Sequence, residues 1–206
     1  MNTKASLINW ERLGEVIAEL EHQERWQDLL LVSVATFTGC RPGDWTKFKW
    51  SVFIDGAGKV KGSTSIIERK PAHIMAARGG KSKPRQVFLP PQFQAVLEAC
   101  YRGLREPYLT TYMFRGTRGP KGSGISPNAG NDRFKKLAKE FGLPHITSYS
   151  FRVTFARKVY DSYKHDPGHG ALMAQRLLNH ASITSTMSYI RLRDDETIQA
   201  FGKLQF

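Results

Sequence analysis

A chain of 206 residues, 40% hydrophobic and 24% charged, is long enough to bury a core without disulfide staples, and its composition excludes a disordered or fibrous protein. Its 31 Lys and Arg against 18 Asp and Glu give a formal charge of +13, which points to a polyanionic partner. The excess is central: residues 41–102 and 103–165 each carry 12 basic and 4 acidic side chains, whereas residues 1–40 carry 3 and 6, and residues 166–206 carry 4 and 4.

In chain order, Leu7, Leu13, Val16, Ile17 and Leu20 fall at helical spacing with Glu11, Glu15, Glu19 and Glu21 between them, which predicts an amphipathic helix over 9–22. A second helix follows from Trp26; it is apolar on nearly every side through Phe37 and should end at Thr38-Gly39, buried in the centre of the domain. Between Ser51 and Leu89 the texture changes to β-branched alternation, predicting strands at 52–54, 64–67, 73–77 and 86–89 in a small antiparallel sheet. Pro90-Pro91 then opens a helix whose buried face carries Phe93, Val96, Leu97 and Cys100. Residues 115–130 read as a basic loop. Its Lys121-Gly122-Ser123 inverts the order that a phosphate-cradling P-loop needs. Helices are expected at 128–141, 147–164, 170–179, 183–190 and 194–204, the last with Ile198, Phe201 and Leu204 on one face. The chain reads as one domain, 1–206, of α+β class and mainly α-helical.

The longest apolar stretch, Leu29 to Cys40, is too short to span a bilayer, and no signal-peptide run follows Met1. Cys40 and Cys100 form no CxxC, so no disulfide framework and no zinc site is expected. His165 and His169 are four apart, but Pro167-Gly168 between them argues against a helical metal face, and no metal or cofactor is assigned. The expected location is the cytoplasm, in association with the nucleoid and not with a membrane.

Four segments carry the chemistry. They are Thr38-Gly-Cys-Arg41-Pro-Gly-Asp44-Trp45, Lys81-Ser-Lys83-Pro-Arg85-Gln-Val-Phe-Leu-Pro90, Thr147-Ser-Tyr149-Ser-Phe-Arg152, and Leu177-Leu-Asn179-His180 through Tyr189. Together, in this order and at this spacing, they resemble the catalytic domain of the tyrosine recombinase (phage integrase) family. The resemblance runs from about residue 7 to the end. It implies a tyrosine-recombinase catalytic-domain-like fold and a site-specific DNA recombinase of integrase, excisionase or invertase type, of the kind mobile elements carry. Such an enzyme cuts and rejoins double-stranded DNA through a 3′-phosphotyrosyl intermediate.

On that resemblance, Tyr189 is the nucleophile. Its phenol, with a pKa of about 10 when unperturbed, becomes a better attacking group once cations stabilise the phenolate. Arg41 and Arg152 form a guanidinium clamp on the nonbridging phosphate oxygens, planar forks of permanent charge. Lys81 protonates the departing 5′ oxygen, with Lys83 as a rival, since spacing back from Arg85 allows either. His180 donates a hydrogen bond to phosphate, and Asp44 fixes the turn that presents Arg41. Each residue taken alone has a bland reading: Tyr189 a core tyrosine, Arg41 a surface arginine past a helix end, the lysines a solvated charge run.

Two positions depart from the family pattern. Tyr149 stands where a histidine is usual, and a phenol donates to phosphate but does not exchange a proton near neutral pH as imidazole does. Asn179 replaces the usual glycine before His180, a milder change because Asn tolerates the left-handed conformation. No separate N-terminal core-binding domain is expected in the chain. The partners implied are double-stranded DNA, a homo- or hetero-tetramer joined through the C-terminal helix, a partner recombinase and an accessory DNA-bending protein. Two alternatives stay open: a non-catalytic DNA-binding regulator of another recombinase, and a type IB topoisomerase.

Overall fold

The computed structural model describes residues 5–68, 84–116 and 123–190, which divide into two compact units, Met1–Phe155 and Ala156–Phe206. The expected strand at 73–77, Lys81, Lys83 and the expected helix at 194–204 lie outside the described residues.

The first unit begins with helix α1, Trp10–His22, started by the Asn9 side chain, which accepts from the Arg12 amide at 2.7 Å. Leu13, Val16, Ile17 and Leu20 form its buried face. Helix α2, Trp26–Thr38, is buried on nearly every side from Leu29 to Ala35 and packs against α1 and against α4, Pro91–Gly103, as its all-round apolarity predicts. It ends at Gly39, whose φ of 57° is left-handed. A Cβ there would lie 2.5 Å from Phe155 Cδ1, so the glycine is required both by the backbone and by close packing.

Helix α3, Pro42–Trp45, is one turn long and seats Trp45 fully in the core, edge-on to Phe114 and Phe134 at 5.4 and 5.9 Å. The segment expected as a strand at 52–54 is instead a 3-10 helix at Trp50–Val52 followed by a single bridge from Ile54 to Val60. The amides of Trp50 and Ser51 are taken by the carbonyls of Thr111 and Leu109, and Phe53 N–H turns back to Trp50 O, so the local backbone closes on itself before a ladder can form.

The sheet of the described residues is an antiparallel pair, β1 (Ser63–Ile66) and β2 (Arg85–Phe88), with Ser63 opposite Phe88 and Ile66 opposite Arg85. Strand parity alternates buried and exposed along each: Thr64, Ile66 and then Glu68 face inward on one side, and Arg85, Val87 and Leu89 on the other. Helix α5, Pro127–Glu140, is capped by Ser126 and starts inside the stretch expected as loop. Gly130 makes room for Trp45, since a Cβ there would come within 2.7 Å of the indole.

Helix α6, Ser148–Asp161, contains the division between the units. In the second unit, α7 (Pro167–Leu178) and α8 (Ile183–Ile190) pack on each other. Ala171, Ala174 and Ile190 form a small buried cluster with Val159 and Tyr160 against it. Pro167 is the first residue of α7 and not a break ahead of a helix that opens at 170, because a proline lacks the donor that the first turn leaves unpaired anyway. His169 therefore lies in the first turn, its ring against Tyr163 at 4.9 Å. Among the described residues no helix is long and apolar enough to cross a membrane.

Candidate active site

The sequence of α2 and its exit turn builds an acceptor surface before any catalytic argument is needed. The last carbonyls of a helix lack intrahelical donors and sit at the negative end of its dipole. Here they receive guanidinium groups: Arg85 Nη1 donates to Thr38 O at 3.0 Å, and Arg152 Nη1 donates to Gly39 O. Arg85 Nη2 also lies 2.6 Å from Cys40 Sγ. Burial pushes the Cys40 thiol up, with Arg85 pulling it partly back, so this cysteine stays a protonated packing residue.

Arg41 follows at the N-terminus of α3, in extended conformation, with Pro42 fixing the first helical turn. Its Nη1 lies 2.6 Å from Glu68 Oε2. The other oxygen of the same carboxylate is 3.2 Å from Arg85 Nε and 3.8 Å from Arg152 Nη1. Three arginines from α3, β2 and α6 thus converge on one carboxylate. The Glu68 and Arg152 side chains are 0% exposed, Arg85 is 4% and Arg41 is 17%, so Arg41 is the member that reaches the surface. Buried charge on this scale is tolerated only when paired and hydrogen-bonded, and the cluster still carries two more positive charges than negative.

The start of α6 is held by polar contacts around Ser148. Its amide and hydroxyl both donate to Asn131 Oδ1, at 2.8 and 2.5 Å, and the Thr147 amide donates to Ser150 Oγ. Deeper in the helix, Thr154 Oγ1 accepts from the Ile8 amide. One turn before the buried Arg152, Tyr149 is 48% exposed. Asp44 is buried in the first turn of α3.

The second unit brings its own two predicted residues together. Asn179 ends α7 at φ 52°, and the amides of Asn179 and His180 bond back to Arg176 O and Gln175 O in a Schellman-type ending. This turn aims the His180 ring at α8. Its Nδ1 is 3.0 Å from Thr186 Oγ1, and its ring centre is 4.9 Å from that of Tyr189. Thr186 and Tyr189 share a face, three residues apart.

Of the residues expected from sequence, the described structure brings together Arg41 with Arg152, and His180 with Tyr189, while Tyr149 shares a helix with Arg152. Glu68 was not foreseen. The signal that would have found it is period-two alternation, which carries Thr64 and Ile66 inward and puts Glu68 on the same side. Arg85 is a second such residue: its parity with Val87 buries it.

The phage integrase family model matches residues 9–196. The chain belongs to the phage integrase family. Among curated proteins of this family it is 37% identical over 82 residues to tyrosine recombinase XerC of Rickettsia africae, a match that covers 38% of this chain and 24% of that protein. It is 26% identical over 129 residues to the probable integrase/recombinase YoeC of Bacillus subtilis, covering 63% and 66%. The match thus spans about a quarter of the XerC relative's length. Among solved structures of the fold, XerA recombinase superposes with a TM-score of 0.69 at 20% identity, covering all of this chain and 68% of that one. XerH bound to palindromic difH substrate in a post-cleavage complex gives 0.68 at 18% identity, covering 98% and 54%. A lambda integrase dimer bound to a core site gives 0.63 at 18%, covering 94% and 62%. The mainly helical fold with its small antiparallel sheet is the fold of these integrase-family structures.

Proposed function

We propose that residues 1–206 act as one catalytic domain of a site-specific DNA recombinase, a strand transferase that works on double-stranded DNA through a covalent tyrosine intermediate. The observation that carries this reading is the convergence of Arg41 and Arg152, distant in sequence, on a single carboxylate, an arrangement of donors that suits a phosphate equally well. Family membership and the DNA complexes of XerH and lambda integrase support the same choice of polymer.

In the proposed step the Tyr189 oxygen attacks phosphorus, a 3′-phosphotyrosyl bond forms, and the bond to the 5′ oxygen breaks. Lys81 or Lys83 gives that oxygen its proton, so the fragment departs as a 5′-hydroxyl. Rejoining is the reverse, with the 5′-hydroxyl as nucleophile and tyrosine as leaving group, and no external energy source is consumed. Arg41, Arg152, His180 and Tyr149 donate to the oxygens on which charge accumulates. Lys47 and Lys49, whose ammonium groups lie 6.0 and 5.6 Å from the Tyr112 ring centre, add a cationic and aromatic surface suited to the DNA backbone. Assembly as a tetramer through residues 194–204, help from a partner recombinase or DNA-bending protein, and residence in the cytoplasm at the nucleoid complete the proposal.

The test is a duplex nicked just past the scissile phosphate, from which the short 5′-hydroxyl fragment diffuses away so that rejoining fails. The parent should accumulate a covalent adduct, and Tyr189→Phe should bind DNA but form none. An adduct that persists in Tyr189→Phe moves the nucleophile elsewhere. No adduct from the parent on any cognate site, with or without a partner recombinase, favours a DNA-binding regulator, and relaxation of supercoils without strand exchange favours a topoisomerase.

A further inference from the structure

Resting on the recombinase reading above, we propose that Glu68 is a positioning residue: its carboxylate sets the orientation of the Arg41 guanidinium toward the scissile phosphate and balances the cluster that Arg41, Arg85 and Arg152 make. The three arginines are not equally dependent on it. Arg85 and Arg152 have second anchors at the end of α2, on Thr38 O and Gly39 O. Among the described residues, the Arg41 guanidinium hydrogen-bonds to Glu68. Arg41 is also the one that reaches the surface, where a phosphate would meet it.

The division of labour follows from donor counting. A guanidinium offers five N–H donors in a planar fork. Glu68 Oε2 takes one at 2.6 Å from the buried side, and the plane of the fork is thereby set for its other donors to meet a phosphate. A carboxylate that is 0% exposed and lies two residues past the end of β1, on the strand's inward parity, serves as a fixed reference and not as a mobile counter-ion. It leaves the cluster net positive, so an anion is still attracted. Removing the negative charge should therefore separate two properties that usually fall together: affinity for DNA rises while the rate of cleavage falls.

The experiment compares Glu68→Gln and Glu68→Asp with the parent, alone and in an Arg41→Lys background. Glu68→Gln is expected to bind duplex DNA at least as tightly as the parent, with the log–log salt slope steeper by up to about one. Its single-turnover cleavage at saturating DNA should be about tenfold to a hundredfold slower. In the Arg41→Lys background the same substitution should cost less than about threefold, because the group it positions is already compromised. Glu68→Asp keeps the charge one methylene back, so binding should match the parent and the rate should fall between the two.

Cleavage of Glu68→Gln at the parent rate, or an equal loss with and without Arg41→Lys, overturns the proposal. Failure of both Glu68 variants to fold would make this residue a purely structural counter-charge and overturn it as well. If the parent itself forms no adduct, the recombinase reading is what fails, and a readout independent of catalysis then decides on Glu68. Added sulfate should raise the melting temperature of Glu68→Gln more than that of the parent, because the arginines there lack their carboxylate; an equal response overturns the pairing.

Discussion

The two halves of the candidate machinery are built to different standards. The arginine cluster stands on an aromatic core: Trp45, Phe114, Phe134 and Phe151 are all nearly inaccessible, and each buried arginine is anchored to a helix end, a strand or a carboxylate. The pair His180 and Tyr189 lies in the unit whose described apolar cluster is Ala171, Ala174 and Ile190, and its contacts include the Thr186 hydroxyl and ring packing. Large side chains bury more area and lose more when truncated than small ones do. The groups that would grip phosphate are therefore fixed in advance, whereas Tyr189, the nucleophile on the proposed reading, lies in the other unit, whose described apolar cluster is built of smaller side chains.

The largest expected effect tests this contrast directly. Trp45→Ala removes a fully buried indole and should cost about 3–5 kcal/mol of global stability, read as a lower urea midpoint. Ile190→Ala should cost about 2 kcal/mol, at the low end for such truncations, and should raise hydrogen exchange across 167–190 more than in α2. Equal effects on both regions would erase the difference.

Next come the arginines. Arg41→Lys and Arg152→Lys each keep the charge and lose the planar fork, and each should slow cleavage by about a hundredfold to a thousandfold. They should differ in stability. Arg152 is buried and bonded to Gly39 O, so Arg152→Lys should also melt lower, while Arg41→Lys should not. A variant that cleaves at the parent rate removes its arginine from the clamp.

The fold was legible in sequence wherever a single element's periodicity decides burial. Helices α1, α2 and α4 follow their apolar residues, and Gly39 and Asn179 mark the stops of α2 and α7 by the conformation each accepts. It failed at Trp50–Val52, where an apolar alternation imitates a strand and the loop at Leu109–Thr111 takes the amides instead. Of the candidate site, Arg41, Arg152, His180 and Tyr189 were named by their motifs and not by periodicity. Glu68 was not: in a segment with three times as many basic as acidic residues it reads as stray compensation, and only the convergence of β1, β2, α3 and α6 gives it a role.

Charge extends the same contrast to binding. DNA affinity should fall about tenfold or more between 50 and 200 mM salt, since each neutralised phosphate releases counterions. Lys49→Gln should flatten the log–log slope by up to about one, while Arg176→Gln, in the electrically balanced segment 166–206, should change it less. A larger effect from Arg176 would place the DNA on the other unit's face.

The smallest effect concerns the turn that carries His180. Asn179 adopts φ 52° and ψ 48°, a region in which an ordinary side chain costs about 1–2 kcal/mol and asparagine less. Asn179→Gly keeps the turn without that strain, so it should be neutral or stabilising by a few tenths of a kcal/mol against the greater freedom of glycine in the unfolded chain. Asn179→Ala should cost about 1 kcal/mol, because alanine has no side-chain amide to bond the nearby backbone in this conformation. The amides of Asn179 and His180 close the helix onto Arg176 O and Gln175 O, so loosening the turn moves the His180 ring relative to Tyr189. Asn179→Ala should therefore lower the rate of adduct formation severalfold with DNA binding unchanged, and Asn179→Gly should restore it. If both substitutions leave the rate alone, the turn is a helix stop only.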